Sequence, residues 1–367
     1  MKKYDVAAYI WPAYCRCDRT DMFWPEGMGE WQTVMKSQAK FPGHTPLPRP
    51  LWGCVNEADP YVMEMEIRAA LDHGVNVFIY DWYWYDRRPF LENCLNDGFL
   101  KAANRDQMKF YLMWANHDAV TLWDKRLSDR DEAVIWQGAQ DRGEFEIIGR
   151  RIIERYFHQA NYYTIDGKPV FCIYDLDNLL RGLGDVSNTR EALDWLREET
   201  RKAGFPGLHL QCILRNHRDF NVTGIAGDTI GVQQEVVEAL GFDSVTHYQY
   251  CHIMEIGRYE DMVGAMAQER ERLEHAYDIP YFPHVSVGWD NNPRFNGLRG
   301  DITTGNTPEQ FRVALEEARD YLDRHPDIAP LVTVNSWNEW TETSYLQPDS
   351  VYGYGYLEAV KSVFGSR

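Results

Sequence analysis

The stretch Leu331-Val332-Thr333-Val334-Asn335-Ser336-Trp337-Asn338-Glu339-Trp340-Thr341-Glu342 changes character after its fourth residue. The first four residues form a continuous, mostly β-branched run, which is typical of a parallel strand covered on both faces. The remainder holds amides, tryptophans and two glutamates three positions apart. In a barrel of parallel strands, polar residues at the carboxyl end of a strand are the candidates for a functional site.

Seven similar runs precede this one along the chain. Together they predict eight strands, near residues 5–11, 75–81, 108–114, 169–174, 208–214, 243–249, 281–287 and 330–336. Helical patterns alternate with the strands, near residues 59–74, 91–106, 143–158, 188–203, 229–240, 258–277, 307–322 and 352–364. This alternation indicates a parallel sheet, and eight strand–helix units favour a closed barrel over an open doubly wound sheet. We therefore predict an α/β protein, a single (β/α)₈ TIM barrel over residues 1–367.

Two of the predicted connections are long. Residues 12–58 follow the first strand and residues 115–142 follow the third. Long loops at the carboxyl ends of strands would build a cleft on the functional face of the barrel. No glycine-rich phosphate loop follows the first strand, which argues against a dinucleotide-binding sheet.

The composition limits the partners of the chain. Its formal net charge of −18 argues against nucleic acid and anionic membranes, because both bind clustered Lys and Arg. Aromatic residues make up 14% of the chain, more than a core alone needs, and rings that line a cleft would suit the flat faces of sugars. The alternative is that many of these rings fill the core. Seven scattered cysteines indicate reduced thiols, and we expect neither a metal nor a cofactor.

The first residues, Met1-Lys2-Lys3-Tyr4-Asp5, are not followed by the apolar segment of a secretion signal. No run is long enough to span a bilayer. We therefore expect a cytoplasmic protein. The aromatic content favours an oligosaccharide or polysaccharide as its substrate.

Polar and aromatic side chains follow every predicted strand. Glu339 and Glu342 are the candidates for catalysis, because glycoside cleavage needs one group to protonate the leaving oxygen and another to assist at the anomeric carbon. Trp337 and Trp340 would supply apolar surroundings that keep one carboxyl protonated. The alternative is a pair of exposed glutamates in the first turn of a helix. Residues at the ends of the strands are expected to contact the substrate, namely Tyr9, Trp11, Asp81, Trp84, Trp114, Asn116, Tyr174, His247, Trp289 and Asn338.

The last strand also carries a family resemblance. Asn338-Glu339-Trp340-Thr341-Glu342 resembles the Asn-Glu-Trp-x-Glu motif of the family 99 glycoside hydrolases, and Leu346-Gln347-Pro348-Asp349 resembles a segment of the related WbsX-like proteins. Further matches are Gly29-Glu30-Trp31, Trp114-Ala115-Asn116, Lys168-Pro169-Val170-Phe171, Ile173-Tyr174 and Gly288-Trp289-Asp290-Asn291. The order and spacing of these matches hold across nearly the whole chain.

The resemblance implies a retaining, endo-acting α-mannosidase or mannanase. In that scheme Glu339 deprotonates the 2-hydroxyl of the sugar, which attacks C1 to give a 1,2-anhydro sugar. Glu342 protonates the leaving oxygen and then activates the water that opens the epoxide. Two positions depart from the pattern: Thr343 stands where many relatives have Gly, and His117 replaces the residue that follows Asn in the third-strand motif.

Three other functions stay open on the sequence. A glycosyltransferase of surface-polysaccharide synthesis would need a sugar-nucleotide site, and neither a basic diphosphate clamp nor a dinucleotide loop is present. A carbohydrate-binding barrel without activity is the second, and the retention of both glutamates argues against it. A metal-dependent hydrolase would draw on His117, His217, His247 and Asp81, which follow separate strands. The sugar, the linkage and the oligomeric state are open.

Overall fold

Eight parallel strands form the centre of the computed structural model, which describes residues 4–44, 49–129, 133–215, 219–225, 227 and 229–365. The strands are β1 (Asp5–Ile10), β2 (Val77–Tyr85), β3 (Lys109–Trp114), β4 (Lys168–Ile173), β5 (His209–Ile213), β6 (Ser244–Thr246), β7 (His284–Ser286) and β8 (Leu331–Asn335). Their order in the sheet is β6-β5-β4-β3-β2-β1-β8-β7. A parallel bridge from Val245 to Tyr281 joins the two outer strands of this order and closes the ring. The predicted (β/α)₈ barrel is confirmed.

The barrel strands are buried on both faces, as their continuous apolar runs predict. β1 lies between β8 and β2, and its register with β8 runs from Asp5↔Leu331 to Ala8↔Val334. β2 continues past the predicted end at residue 81 and pairs in an antiparallel hairpin with Arg88–Phe90. Its last residues therefore alternate between the two faces of the sheet, which decides where their side chains point.

Helices cover the outside of the barrel. They are α1 (Pro60–Asp72), α2 (Arg142–Ile152), α3 (Leu176–Leu183), α4 (Val186–Lys202), α5 (Gln233–Leu240), α6 (Tyr259–Ala276), α7 (Pro308–Arg324) and α8 (Gly355–Phe364). α1 and α7 each begin with a side-chain cap, since Asp59 accepts a hydrogen bond from the Tyr61 amide and Thr307 accepts one from the Gln310 amide. Pro60 and Pro308 occupy the first position of their helices.

The segment 229–240 differs from its prediction as one continuous helix. Thr229–Val232 is a strand paired with Asp219–Thr223, and the helix begins only at Gln233. The sequence Thr-Ile-Gly-Val explains the difference, because β-branched residues favour a strand over a helix.

Two other helical regions also differ from the prediction. The weak pattern near residues 91–106 is a π-helical turn, Cys94–Gly98, followed by the 3₁₀ turns Phe99–Lys101 and Arg105–Gln107. α3 was absent from the sequence-based expectation; it begins where the Asp175 side chain caps it by accepting from the Asn178 amide.

The two long loops carry short elements of their own. The first holds a 3₁₀ turn, Thr20–Met22, and a one-turn helix, Trp31–Met35. The second holds a small hairpin of Ala119–Val120 and Val134–Trp136. A search of the described helices finds none that combines the length and the apolar character needed to cross a membrane. The seven cysteines are all free thiols.

Candidate active site

A cavity of about 280 Å³ lies at the carboxyl ends of the barrel strands. Six of the twelve predicted site residues line it, namely Trp11, Asp81, Tyr174, Trp289, Glu339 and Glu342. Six aromatic rings face it, those of Trp11, Tyr83, Trp123, Tyr174, Tyr248 and Trp289. The cavity therefore combines flat apolar surfaces with acidic groups.

The segment after β8 brings the two glutamates to the same cavity. A hairpin pairs Asn338–Glu339 with Ser344–Tyr345, and the 3₁₀ turn Trp340–Glu342 lies between its strands. The Glu339 amide donates to Ser336 Oγ at 2.7 Å, which holds the start of the turn. Because the turn is helical, residues three positions apart lie on one side of it.

One buried guanidinium contacts both glutamates. Arg294 Nη1 donates to Glu342 Oε1 at 2.6 Å, and Arg294 Nη2 lies 3.4 Å from Glu339 Oε2. Its Nε donates to a third carboxylate, Glu30 Oε1, at 3.3 Å. Arg294 is 4% exposed, so these contacts are shielded from solvent.

Glu30 belongs to the Gly29-Glu30-Trp31 segment of the first long loop. Its second oxygen accepts from the Trp11 indole nitrogen at 2.5 Å. A side chain at Gly29 would have its Cβ 2.0 Å from the Ala13 carbonyl oxygen, and the backbone φ there is +61°. Glycine is therefore required where this loop folds back on the end of β1 and directs Glu30 to Arg294.

A tyrosine hydroxyl joins two further acidic groups. Tyr248 Oη lies 2.9 Å from Asp81 Oδ2 and 3.1 Å from Glu339 Oε1. Asp81 reaches the cavity from β2, and Tyr248 reaches it from the residues just after β6. The three side chains form a continuous hydrogen-bonded row.

Burial raises the pKa of three of the acids that line the cavity. It raises the pKa of Glu339 well above the usual range, the charge of Glu342 adds to this, and Arg294 opposes it. Burial also raises the pKa of Glu342, against the charge and the hydrogen bond of Arg294. Asp81 has a raised pKa from burial, with a further contribution from Glu342. Arg294 contacts two of these three acids, so its charge offsets only part of the effect of burial.

The other six predicted residues lie away from the cavity lining, and strand geometry explains three of them. Trp84 donates its indole N–H to Glu144 of α2, and Trp114 packs against Phe145 of the same helix. His247 lies 3.2 Å from the Tyr281 hydroxyl, toward the helical layer. Successive side chains on a strand point to opposite faces, and the neighbours Tyr83, Met113 and Tyr248 are the ones that reach the cavity.

The remaining three predicted residues hydrogen-bond to backbone groups of other residues. Tyr9 donates its hydroxyl to the His247 carbonyl oxygen. Asn116 bonds both the amide and the carbonyl of Asp175, which ties the end of β3 to the end of β4. Asn338 does the same for the backbone of Trp11. The structure thus shows a contact within the protein for each of these three residues, and their contact with substrate stays a prediction.

Three site residues were missed from the sequence as members of the site: Glu30, Tyr248 and Arg294. Glu30 and Tyr248 had detectable signals, since the first lies in a family-like motif and the second is the neighbour of a predicted residue. Arg294 lies in a short 3₁₀ turn, Asn292–Arg294, that no pattern predicts.

The metal-dependent alternative has no geometric support in the part of the chain that the structure describes. There, no cluster of three or more His, Cys, Asp or Glu side chains has the arrangement of a metal site. His117 lines the cavity and its Nδ1 contacts the Asp118 carbonyl oxygen, while burial lowers its pKa. His217 lies outside the described residues.

Comparison with known families and proteins gives a match over nearly the whole chain. Residues 6–360 match the family described as Glycosyltransferase WbsX. The uncharacterized protein WxcX of Xanthomonas campestris pv. campestris (strain B100) is 25% identical over 376 residues, which cover 97% of this chain and 49% of that protein. The chain thus spans about half the length of the curated relatives it matches.

Solved structures match the barrel at low sequence identity. A glycoside hydrolase-like protein superimposes with a TM-score of 0.64 at 16% identity, covering 100% of this chain and 95% of the other. A GH99 endo-α-mannosidase from Bacteroides thetaiotaomicron superimposes with a TM-score of 0.62 at 12% identity, covering 98% and 95%. At these identities the likeness is one of fold.

Proposed function

The chain belongs to the WbsX glycosyltransferase family, and from that premise we propose that it is nevertheless a retaining glycoside hydrolase acting on α-linked, mannose-like sugars. The observation that carries the proposal is the meeting of Glu339 and Glu342 on one guanidinium in an aromatic cavity. Two carboxyl groups in a partly apolar site are the machinery that glycoside hydrolysis requires.

The ring-lined cavity supports a sugar as the substrate. Trp11, Tyr174 and Trp289 offer apolar faces on which the C–H surfaces of a pyranose can lie. Arg215 lies over the Tyr174 ring, 4.7 Å from its centroid, and pairs with Asp175 at 2.8 Å. The choice of a mannose-like sugar rests on the Asn-Glu-Trp-x-Glu resemblance, and the likeness in fold to an endo-α-mannosidase agrees with it.

The same resemblance assigns the roles. Glu339, as a carboxylate, takes the proton of the 2-hydroxyl, and the 2-oxygen attacks C1 while the bond to the leaving oxygen breaks. Glu342 gives its proton to that oxygen and later takes a proton from the water that attacks C1. The bond from C1 to the 2-oxygen then breaks, and Glu339 returns its proton to the 2-oxygen. Burial raises the pKa of Glu342, which favours the protonated acid that this step needs, and Arg294 opposes that effect. Activity should therefore fall as the pH rises through the pKa of Glu342 in the complex with substrate.

The charges in the cavity favour a hydrolase over a sugar-nucleotide transferase. Both arginines among its described lining residues, Arg215 and Arg294, already pair with carboxylates. A nucleotide diphosphate would bring two more negative groups next to Glu339 and Glu342 without an uncompensated cation to bind them.

Turnover of a panel of α-linked manno-oligosaccharides tests the proposal. We expect Glu339→Gln and Glu342→Gln each to lower kcat by at least about 10²-fold, the lower range for the loss of a general acid or base. Glu309→Gln, at an exposed position on α7, is the matched control and should retain full activity. The first product released should keep the anomeric configuration in NMR spectra, and substrates methylated at the 2-oxygen should not be cleaved.

Two outcomes would remove the assignment. Near-normal turnover in either glutamine variant would show that the pair is not catalytic. An inverted first product would exclude the epoxide route. Calorimetric titration with GDP-mannose and UDP-glucose tests the transferase directly, because a hydrolase should give no binding heat with either.

A further inference from the structure

Asp81 is a buried acid whose side chain, among the described residues, hydrogen-bonds only to a phenol. It is 3% exposed, and its Oδ2 lies 2.9 Å from Tyr248 Oη. Its Oδ1 is buried without a hydrogen-bond partner among the described residues. An ionised carboxylate accepts hydrogen bonds at both oxygens, so this environment suits the charged form poorly.

The hydrogen-bond capacity of Tyr248 adds a second constraint. Its hydroxyl lies within hydrogen-bond distance of Asp81 and of Glu339, at 2.9 and 3.1 Å. A phenol has one proton to donate, so it can donate to only one of the two acids. The other contact is a hydrogen bond only if that acid is protonated and donates to the phenol oxygen. The geometry therefore requires a proton on Asp81 or on Glu339.

The surrounding charges decide which acid holds it. Glu339 has a guanidinium nitrogen of Arg294 at 3.4 Å, which favours its ionised form. The titratable groups that interact with Asp81, among the described residues, are Tyr9, Tyr83, Cys172, Tyr248, Glu339 and Glu342, and none of them is a cation. Burial raises the pKa of Asp81 well above the usual range; the hydrogen bond with Tyr248 opposes this, and the charge of Glu342 adds to it. The proton belongs on Asp81.

We propose that Asp81 acts as a neutral carboxylic acid that donates its proton to the phenol oxygen of Tyr248, so that Tyr248 donates its own proton to Glu339 and holds it as the carboxylate base. Asp81 is then a positioning residue, and its proton stays on it throughout the reaction. The benefit to catalysis rests on the proposed function, because it requires Glu339 to be the base. The protonation of Asp81 itself does not rest on the proposed function.

Infrared spectroscopy of the wild-type protein tests the protonation without any substrate. The protein is produced with the aspartate carboxyl carbon labelled with ¹³C, and the carbonyl stretch of a protonated carboxyl group is recorded at pH 7. Burial raises the pKa of Asp81, so we expect a label-shifted band that Asp81→Asn removes. A spectrum without a protonated aspartate band would overturn the proposal.

Three variants test the consequence for catalysis. In Asp81→Asn the amide N–H replaces the acid O–H as donor to Tyr248, so we expect a loss of kcat of no more than about tenfold, near one ordinary hydrogen bond. Asp81→Ala removes that donor and should lose about 10²-fold, the lower range for disturbing a general base. Tyr248→Phe removes the donor to Glu339, raises the pKa of the base and moves the acidic limb of the kcat/KM profile to higher pH.

The Asn variant separates a neutral from an ionised role. If Asp81 worked as a carboxylate, Asp81→Asn would lose as much activity as Asp81→Ala, and that result would contradict the proposal. Circular dichroism checks that each variant folds. If Asp81→Asn does not fold, the infrared band of the wild-type protein still decides whether Asp81 is protonated. A wild-type protein with the band but no turnover of any glycoside would refute the proposed function alone.

Discussion

Two groups of buried acids lie on opposite sides of the segment that follows β8. The open cluster faces the cavity and consists of Glu30, Asp81, Glu339, Glu342 and Arg294. The closed cluster lies between α1 and the same segment and consists of Glu57, Glu66, Trp337, Asn338 and Gln347. Trp337 donates its indole N–H to Glu66 at 2.8 Å, and Asn338 donates to Glu57 at 3.0 Å, while the next residue, Glu339, turns toward the cavity.

The acids of both clusters are buried. The clusters differ in whether a cation pairs with the acids and in whether the acids face the cavity. Glu57 accepts hydrogen bonds from Asn338, Gln347 and the Cys94 thiol, and burial raises its pKa to about 7. Burial raises the pKa of Glu66 well above the usual range, and Glu57 adds to this. Among the described residues, no cation pairs with either acid. A raised pKa therefore does not by itself identify a catalytic acid; the open cluster differs in having a cation and a cavity beside it.

Removing the cation of the open cluster should have the largest effect. Arg294→Met leaves three buried carboxylates without their shared partner, and we expect a loss of about 3–5 kcal/mol in the free energy of unfolding, as for other broken buried ion pairs. The pKa values of Glu339 and Glu342 should both rise, because Arg294 lowers them. Since the base must be ionised, the acidic limb of kcat/KM should move to higher pH. Urea denaturation and pH-dependent kinetics measure the two effects.

Arg294→Lys is the matched control for this change. It keeps the positive charge but cannot direct separate N–H groups at Glu30, Glu339 and Glu342, so its effects should be intermediate. An Arg294→Met protein with wild-type stability and an unshifted acidic limb would mean that Arg294 does not compensate the negative charge of the open cluster. The two clusters would then not differ in charge balance.

The closed cluster should affect stability but not turnover. Burial raises the pKa of Glu66 above its ordinary value of 4.5, so above pH 4.5 the folded state binds more protons than the unfolded chain does. Stability therefore falls as the pH rises above that value, by about 1.4 kcal/mol per pH unit for each such group. Glu66→Gln mimics the protonated acid and should make the slope between pH 5 and pH 7 less steep by that amount.

Denaturation at several pH values measures this slope, and turnover should stay at the wild-type level. Glu358→Gln, at an exposed position on α8, is the control and should leave the slope unchanged. A Glu66→Gln protein with the wild-type slope would show that Glu66 is ionised in the folded state, contrary to the cause assigned to its pKa.

The barrel and the position of the two glutamates after its last strand were accessible from the sequence, because both depend on local patterns. Continuous β-branched runs predicted the strands, and the Asn338–Glu342 motif predicted two acids on one side of a turn. The closed cluster was not predicted, because Glu57 precedes its partner Asn338 by 281 positions and Glu66 precedes its partner Trp337 by 271. The same holds for Arg294, which meets Glu30 across 264 positions.

The sequence did not reveal which strand-end side chains face the cavity, and the reason for this is different. Trp84 and Tyr83 are equally aromatic, and only the closure of the barrel decides which of them faces the cavity. Because the side-chain period of a strand is two, an uncertainty of one residue in the orientation exchanges the two faces. Asp81 and Trp84, both predicted, lie three positions apart on β2 and therefore point in opposite directions.

Thr343 gives the smallest expected effect, at the point where the segment leaves the open cluster. Its φ is +53°, a left-handed conformation that is unfavourable for a β-branched residue, and its hydroxyl donates to the Asp290 carbonyl oxygen at 3.0 Å. Thr343→Gly and Thr343→Ala both lose that hydrogen bond, but only alanine keeps a Cβ in the left-handed region. We expect the glycine variant to be the more stable of the two by about 0.5–1 kcal/mol in urea denaturation, since relief of the left-handed strain outweighs the greater chain entropy of glycine. Equal stabilities would mean that the backbone here is not left-handed, and the turn that aims Glu342 at Arg294 would then need a different geometry.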